Sequence, residues 1–136
     1  MNAIEKTVQN WHTILKEKDI SGLDKLLADK PIFYSPVVPE PQEGKNLTTM
    51  YLTAAFKVLG PTIHYTRELL SERDAFLEFT ADINGVTING VDMIHCDADG
   101  RISDFKVMVR PLPAIEALKK QMRRELVRLA RTSQQT

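Results

Sequence analysis

The sequence predicts an α+β cone: a curved antiparallel sheet wrapped around helices, with an internal pocket between the layers. Three observations carry this expectation. Apolar residues recur at helical spacing near both ends of the chain, and the period shortens to two between Ile63 and Arg110. The breaks within that strand region are turn sequences, Glu72-Arg73-Asp74, Asn84-Gly85 and Asp97-Ala98-Asp99-Gly100. Asn-Gly and Asp-Gly tolerate the positive φ that tight hairpins demand.

In chain order, Ile4, Val8, Trp11 and Leu15 form one stripe of a helix about four turns long. Lys18 to Gly22 breaks it, and Leu23, Leu26 and Leu27 predict a second, short helix ended by Pro31. Ile32-Phe33-Tyr34-Ser35 reads as a strand, and the prolines from Pro36 to Pro41 forbid helix or central strand after it. A third helix follows, with Leu47, Met50, Tyr51, Ala54, Ala55, Val58 and Leu59 on one face, stopped by Gly60-Pro61. The meander candidates are Ile63 to Ser71, Ala75 to Ile83, Thr87 to Cys96 and Ile102 to Arg110. Pro113 opens a closing helix with the stripe Ile115, Leu118, Met122, Leu126 and Leu129, and Thr132 to Thr136 forms a polar tail.

Composition sets the outer limits. A chain of 136 residues, 43% hydrophobic and 26% charged, is globular and expected to form one domain over 1–136. Lys plus Arg and Asp plus Glu balance at 18 each, so net charge offers no attraction to nucleic acid or to anionic membranes. The basic residues of the last helix, Lys119 to Arg131, lack interleaved aromatics and read as a solvated face. Cys96 is the single cysteine, which excludes an intrachain disulfide and a multi-cysteine zinc site. His12, His64 and His95 show no metal-ligand spacing, and neither GxGxxG nor a Walker pattern occurs, so no metal and no cofactor is expected. No apolar run reaches the roughly 18 residues of a membrane span, and Met1 to Asn10 lacks a signal-peptide core. A soluble, cytoplasmic protein is the expectation.

Strand alternation sorts the interior. Leu77, Phe79, Ala81 and Ile83 share one face of their strand, Asp92, Ile94 and Cys96 of the next, and Phe105, Val107 and Val109 of the last. This apolar set must look toward the helices, which makes Asp92 the one polar residue among hydrocarbon. Burial disfavours the charged form, so Asp92 is expected to hold its proton and to donate a hydrogen bond to a ligand oxygen. The plainer alternative is that Asp92 satisfies the Trp11 indole N–H or a backbone amide. On the first meander strand, alternation leaves open whether the pair His64/Glu68 or the pair Tyr65/Arg67 points inward. Tyr34 and Ser35 sit before the proline-rich loop, at the expected mouth, where Tyr34 reads first as a rim aromatic packing that loop. Tyr51 shares the apolar face of its helix and reads as a core tyrosine able to present its hydroxyl. His95 and Cys96 point to opposite faces, which argues against a thiolate nucleophile.

This layout resembles the nuclear transport factor 2-like superfamily of cystatin-like cones, which includes ketosteroid isomerases and SnoaL-like polyketide cyclases. The resemblance rests on Trp11, on Leu26-Leu27-Ala28-Asp29 running into Phe33-Tyr34-Ser35-Pro36, and on Gly44. It rests also on Val91-Asp92-Met93-Ile94 followed by Asp99-Gly100-Arg101-Ile102. Placed against ketosteroid isomerases, Asp92 takes the position of their neutral oxyanion-hole aspartic acid. Trp11 takes that of their oxyanion-hole tyrosine, and Ser35 that of their general base. A serine hydroxyl alone is too weak a base to remove an α-proton, so double-bond isomerisation with the usual residues is not expected.

The resemblance therefore implies a pocket for a small hydrophobic or amphipathic molecule, with Asp92 as its acidic group. Trp11, Tyr34, Ser35, Tyr51, Leu77, Phe79, Ile94, Phe105, Val107 and Val109 are the expected lining. The alternative is an isomerase- or cyclase-type enzyme using Asp92 for acid–base chemistry or oxyanion stabilisation. Relatives commonly pair through the outer sheet face, where Val91, Met93 and Met108 mix with Lys106, Arg110, Asp104 and Glu78. A homodimer through that face is expected.

Overall fold

The structure is a computed structural model and describes residues 1–134. Helix α1 (Ala3–Glu17) begins where the Asn2 side chain accepts the Glu5 N–H at 3.0 Å, and it ends at Lys18 in the left-handed conformation, φ 55°. A turn of 3-10 helix leads into the single turn α2 (Leu23–Leu26). Strand β1 (Leu27–Tyr34) starts five residues before the expected Ile32, so Leu27 belongs to the sheet rather than to the helix. Pro31 lies inside β1 and does not end the helix. It sits where the pairing slips between Leu27 and Ile32, at a position that asks no N–H of the ladder.

A two-residue strand β2 (Gln42–Glu43), which the sequence did not announce, covers the outer edge of β1 between the prolines and Gly44. Helix α3 (Lys45–Leu59) follows. Its buried face is centred on Thr48, Leu52 and Leu59, which leaves Leu47 exposed rather than in the predicted stripe. The meander consists of β3 (His64–Ser71), β4 (Asp74–Ile83), β5 (Val86–Cys96) and β6 (Ile102–Arg110). Helix α4 (Leu112–Gln134) closes the chain. It continues through the expected polar tail as far as Gln134, and Gln135 and Thr136 lie outside the described residues.

The six strands run in the order β2-β1-β6-β5-β4-β3. The four meander strands pair antiparallel, as expected, and β1 joins β6 in parallel, which makes the whole sheet mixed. The β4–β5 turn is built by Asn84 (φ 51°) and Gly85 (φ 87°), both in the region a two-residue hairpin needs. Alternation places Leu77, Phe79, Ile88, Ile94, Phe105 and Val107 in the core beneath α1, α3 and α4. Among the described residues no helix is long and apolar enough to cross a membrane.

Strand β3 departs from alternation. Tyr65 pairs with Phe79 and Arg67 with Glu78, so Thr66 is an extra residue, a β-bulge. Counted from the β3–β4 turn, where Ser71 pairs with Asp74, the bulge reverses the phase of everything before Thr66. Tyr65 and Glu68 therefore share the inner side while His64 and Arg67 share the outer, and neither pair suggested by alternation points inward as a unit.

Gly90 on β5 lies directly opposite Phe79, whose ring fills the space a side chain would take. A Cβ built there falls 2.5 Å from Phe79 Cζ and 2.8 Å from the Met108 carbonyl oxygen. Gly90→Ala is therefore expected to destabilise the fold by ~1–3 kcal/mol, read from a urea unfolding curve. Unchanged stability would show that the sheet has slack at this crossing.

Candidate functional site

The site begins with the bulge. By turning Tyr65 inward, β3 delivers its hydroxyl to the centre of β5, where the oxygen donates to Asp92 Oδ2 at 2.6 Å. The same oxygen accepts from Trp11 Nε1–H at 2.9 Å, so α1, β3 and β5 are joined by a hydrogen-bonded chain from indole to phenol to carboxyl. Trp11 is packed against Phe105, with ring centres 5.1 Å apart. Tyr65 is held edge-on by Phe79 at 6.1 Å and by His12 at 5.0 Å. His12 in turn meets Glu68 at the rim, the second inward residue that the bulge produces.

Asp92 is 5% exposed and surrounded by Leu77, Val107 and Phe105. Burial pushes its carboxyl up from the ordinary 3.8 to about 7, and the Tyr65 hydroxyl offsets part of that rise by donating to the charged form. Tyr65 is driven well above its usual range, first by its own burial and then by the neighbouring carboxyl. Among the described residues nothing donates to Asp92 Oδ1, which leaves one carboxyl oxygen without a partner in the chain.

Asp92 and Tyr65 stand on the wall of a hollow bounded mostly by hydrocarbon. Trp11, Phe33, Ser35, Leu52, Phe105 and Val107 contribute walls from the cone itself, and Leu118 and Met122 close it from α4. The space inside that a water centre can reach is about 40 Å³. That accommodates ordered water. It is far below the roughly 300 Å³ of an open small-molecule site.

Of the expected lining, Trp11, Ser35, Asp92, Phe105 and Val107 border the hollow. Leu77, Phe79 and Ile94 are fully buried behind it, in sheet packing rather than at the wall. Val109 lies beyond it, beside an outer-face groove. Tyr34 points the other way from Phe33, and Lys106 covers its ring at 4.8 Å on the outer face. Tyr51 stacks on Phe33 at 5.7 Å and faces a separate groove beside α4. The Ser35 hydroxyl accepts the Val37 N–H at 3.2 Å, which ties it to the turn after β1. Tyr65, Phe33, Leu52 and the two α4 side chains are among the residues that the expected lining omits. Alternation offers Tyr65 only as one of two open choices on β3, because the bulge that settles it has no marker in the local sequence, whereas the α4 stripe is visible as a buried face. Among the described residues, no three His, Cys, Asp or Glu side chains come together as a metal site.

The chain is similar to solved structures over nearly its whole length. A steroid delta-isomerase from Pseudomonas aeruginosa is 35% identical, covers 96% of both chains and superposes with a TM-score of 0.90. A cystatin-like protein from Silicibacter pomeroyi DSS-3 is 26% identical over 94% of this chain and 90% of that one, with a TM-score of 0.84. An NTF2-like protein from Mesorhizobium loti, 16% identical over 80% of this chain and 92% of that one, shares the fold at a TM-score of 0.70. No protein-family model and no curated protein matches the chain. A bent sheet over three helices, an acid in its hollow, and these likenesses define one class of α+β cones. The chain belongs to the nuclear transport factor 2-like superfamily.

The raised Asp92 carboxyl has a measurable consequence for stability. The folded chain holds this proton more tightly than the unfolded chain, so the group costs nothing below pH ~4 and progressively more as pH rises to about 7. Asp92→Asn is expected to match the wild type near pH 4 and to exceed its stability at pH 8 by up to about 4 kcal/mol, measured by denaturant unfolding. Parallel pH profiles for the two proteins would show that Asp92 titrates as an exposed carboxyl does.

Proposed function

We propose that the protein binds a small, partly hydrophobic molecule in this hollow and orients it through one polar atom hydrogen-bonded to Asp92. The observation that carries the reading is Asp92 Oδ1, a carboxyl oxygen on an apolar wall that has no hydrogen-bond partner among the described residues. No side-chain polar atom of the described residues is both sealed from solvent and unpaired, so this oxygen opens onto the hollow, where water or a ligand atom can reach it. The hollow as it stands is too small for most ligands, so occupancy requires Leu118 and Met122 to shift. Both belong to α4 and take no part in strand pairing, and an unbranched methionine changes rotamer at little cost.

A second reading rests on the likeness to the steroid delta-isomerase and on a carboxyl near neutrality, suited to both giving and taking a proton. In that reading Asp92 would carry the proton alone. Ser35 supplies no base, and among the residues bordering the hollow Tyr65 is the sole other titratable group. This absence of a second carboxylate favours binding over double-bond isomerisation.

The test uses cyclohexanone, added to methyl-labelled protein and followed by NMR. Leu118, Met122 and Val107 signals should move together. Affinity should drop roughly tenfold in Asp92→Leu, the worth of one hydrogen bond, and should rise in Met122→Ala. Shifts confined to surface residues would refute the proposal. Conversion of cyclohex-3-enone to its conjugated isomer, faster than in buffer and lost in Asp92→Asn, would replace it with the enzyme reading.

We infer also that two copies pair through the outer sheet face. The support is a cluster of apolar side chains there: Leu69 is 73% exposed, Phe76 43% and Met108 53%, beside Arg67 and Glu78. Light scattering should give twice the 15.4 kDa chain mass at micromolar concentration, and Phe76→Glu should halve it. A single-chain mass for the unaltered protein would remove the dimer.

A further inference from the structure

We propose that Trp11 is a positioning residue: its indole N–H fixes the direction of the Tyr65 hydroxyl, which commits the only Tyr65 proton to Asp92 and leaves Asp92 alone of the three able to donate to a ligand. The inference rests on the reading of the hollow as a ligand site. Its geometric core, however, stands on two hydrogen bonds. An indole nitrogen donates and never accepts, so the 2.9 Å contact from Trp11 makes the Tyr65 oxygen an acceptor. A phenol has one proton, and at 2.6 Å that proton lies on the line to Asp92 Oδ2. The reverse arrangement, with Asp92 donating to Tyr65, would need the Tyr65 proton to leave for another acceptor. Among the described residues no other acceptor meets that hydroxyl.

Each member of the chain is held in place. Phe105 packs on the Trp11 ring, and Phe79 and His12 meet the Tyr65 ring edge-on, so neither ring is free to turn its polar atom elsewhere. Other charged groups are few on every side that faces the chain. Helix α1 contributes His12 and β3 contributes Glu68, which pair with each other at the rim. Strand β4 presents Leu77 and Phe79, β6 presents Phe105 and Val107, and α4 presents Leu118 and Met122.

A consequence for specificity follows. A ketone oxygen only accepts, so it binds when Asp92 carries its proton. An alcohol can also donate, so it binds on both sides of the titration. The hollow thus distinguishes ligands by whether their polar atom can give a proton, and pH sets which kind it retains.

Trp11 is the single tryptophan, so its indole N–H gives one unambiguous NMR signal. In ligand-free protein this signal should titrate with the midpoint of the Asp92 carboxyl carbon, and the titration should vanish in Tyr65→Phe. Trp11→Phe keeps the aromatic packing and weakens the Tyr65 donor, so the Asp92 midpoint should move up by roughly half a unit. Tyr65→Phe should move it further in the same direction. His95→Gln removes an imidazole on the outer sheet face, beside Asp74, and should leave both signals as they were. A flat indole signal through the Asp92 titration, or an unmoved midpoint in a folded Trp11→Phe, would overturn the relay.

Binding provides the other arm. Cyclohexanone affinity should fall by at least about tenfold as pH is raised through the Asp92 midpoint and then level off, while cyclohexanol affinity persists. A ketone affinity independent of pH overturns the specificity claim. If neither probe moves the hollow's methyl signals, the ligand reading falls, and the indole titration still decides the relay.

Discussion

A carboxyl group enclosed by hydrocarbon must find a hydrogen-bond partner or keep its proton, and around Asp92 the fold supplies part of each solution. One oxygen receives the Tyr65 hydroxyl at 2.6 Å, the other receives nothing from the described residues, and burial raises the carboxyl to about 7. The partner is available because one extra residue, Thr66, turns β3 over between Tyr65 and Arg67. Without that bulge, Tyr65 and Glu68 could not share the inner side, and Trp11 would face the acid with no phenol between them. The polar heart of the cone therefore depends on a local irregularity at the edge of its sheet.

Much of this architecture is legible in the residues alone. Period-two alternation assigns the inner faces of β4, β5 and β6 correctly because those strands pair in continuous register from Asp74 to His95 on one side and from Asn89 to His95 on the other. It fails on β3, where the register slips, and no residue type in His64 to Ser71 marks the slip. The start of β1 was obscured for a related reason: Leu27 completes a leucine pattern, and Pro31 resembles a helix stop until its neighbours on β6 are known. Tyr34 meets Lys106, its partner across the β1–β6 pair, a contact that is visible only once parallel pairing is established. Local patterns reveal which side a residue faces, whereas pairing partners decide what it meets there.

The likeness to a steroid delta-isomerase at 35% identity sharpens the contrast between scaffold and chemistry. Here the acid is buried on an apolar wall, the Trp11 indole is spent on Tyr65, and a serine tied to the Val37 amide stands before Pro36. Tyr65 enters from another strand and occupies the acid's second oxygen. The arrangement keeps one acidic group and surrounds it with donors aimed at each other.

Helix α4 is the last element of the chain, and it supplies the ceiling of the chamber through Leu118 and Met122 while the sheet supplies the acid. Capacity and chemistry thus reside on separate pieces of the polypeptide. Exchanges at two helical positions can enlarge or shrink the room without disturbing a single rung of the β-ladder. A scaffold divided in this way can change what it houses by small steps and keep its electrostatics intact throughout.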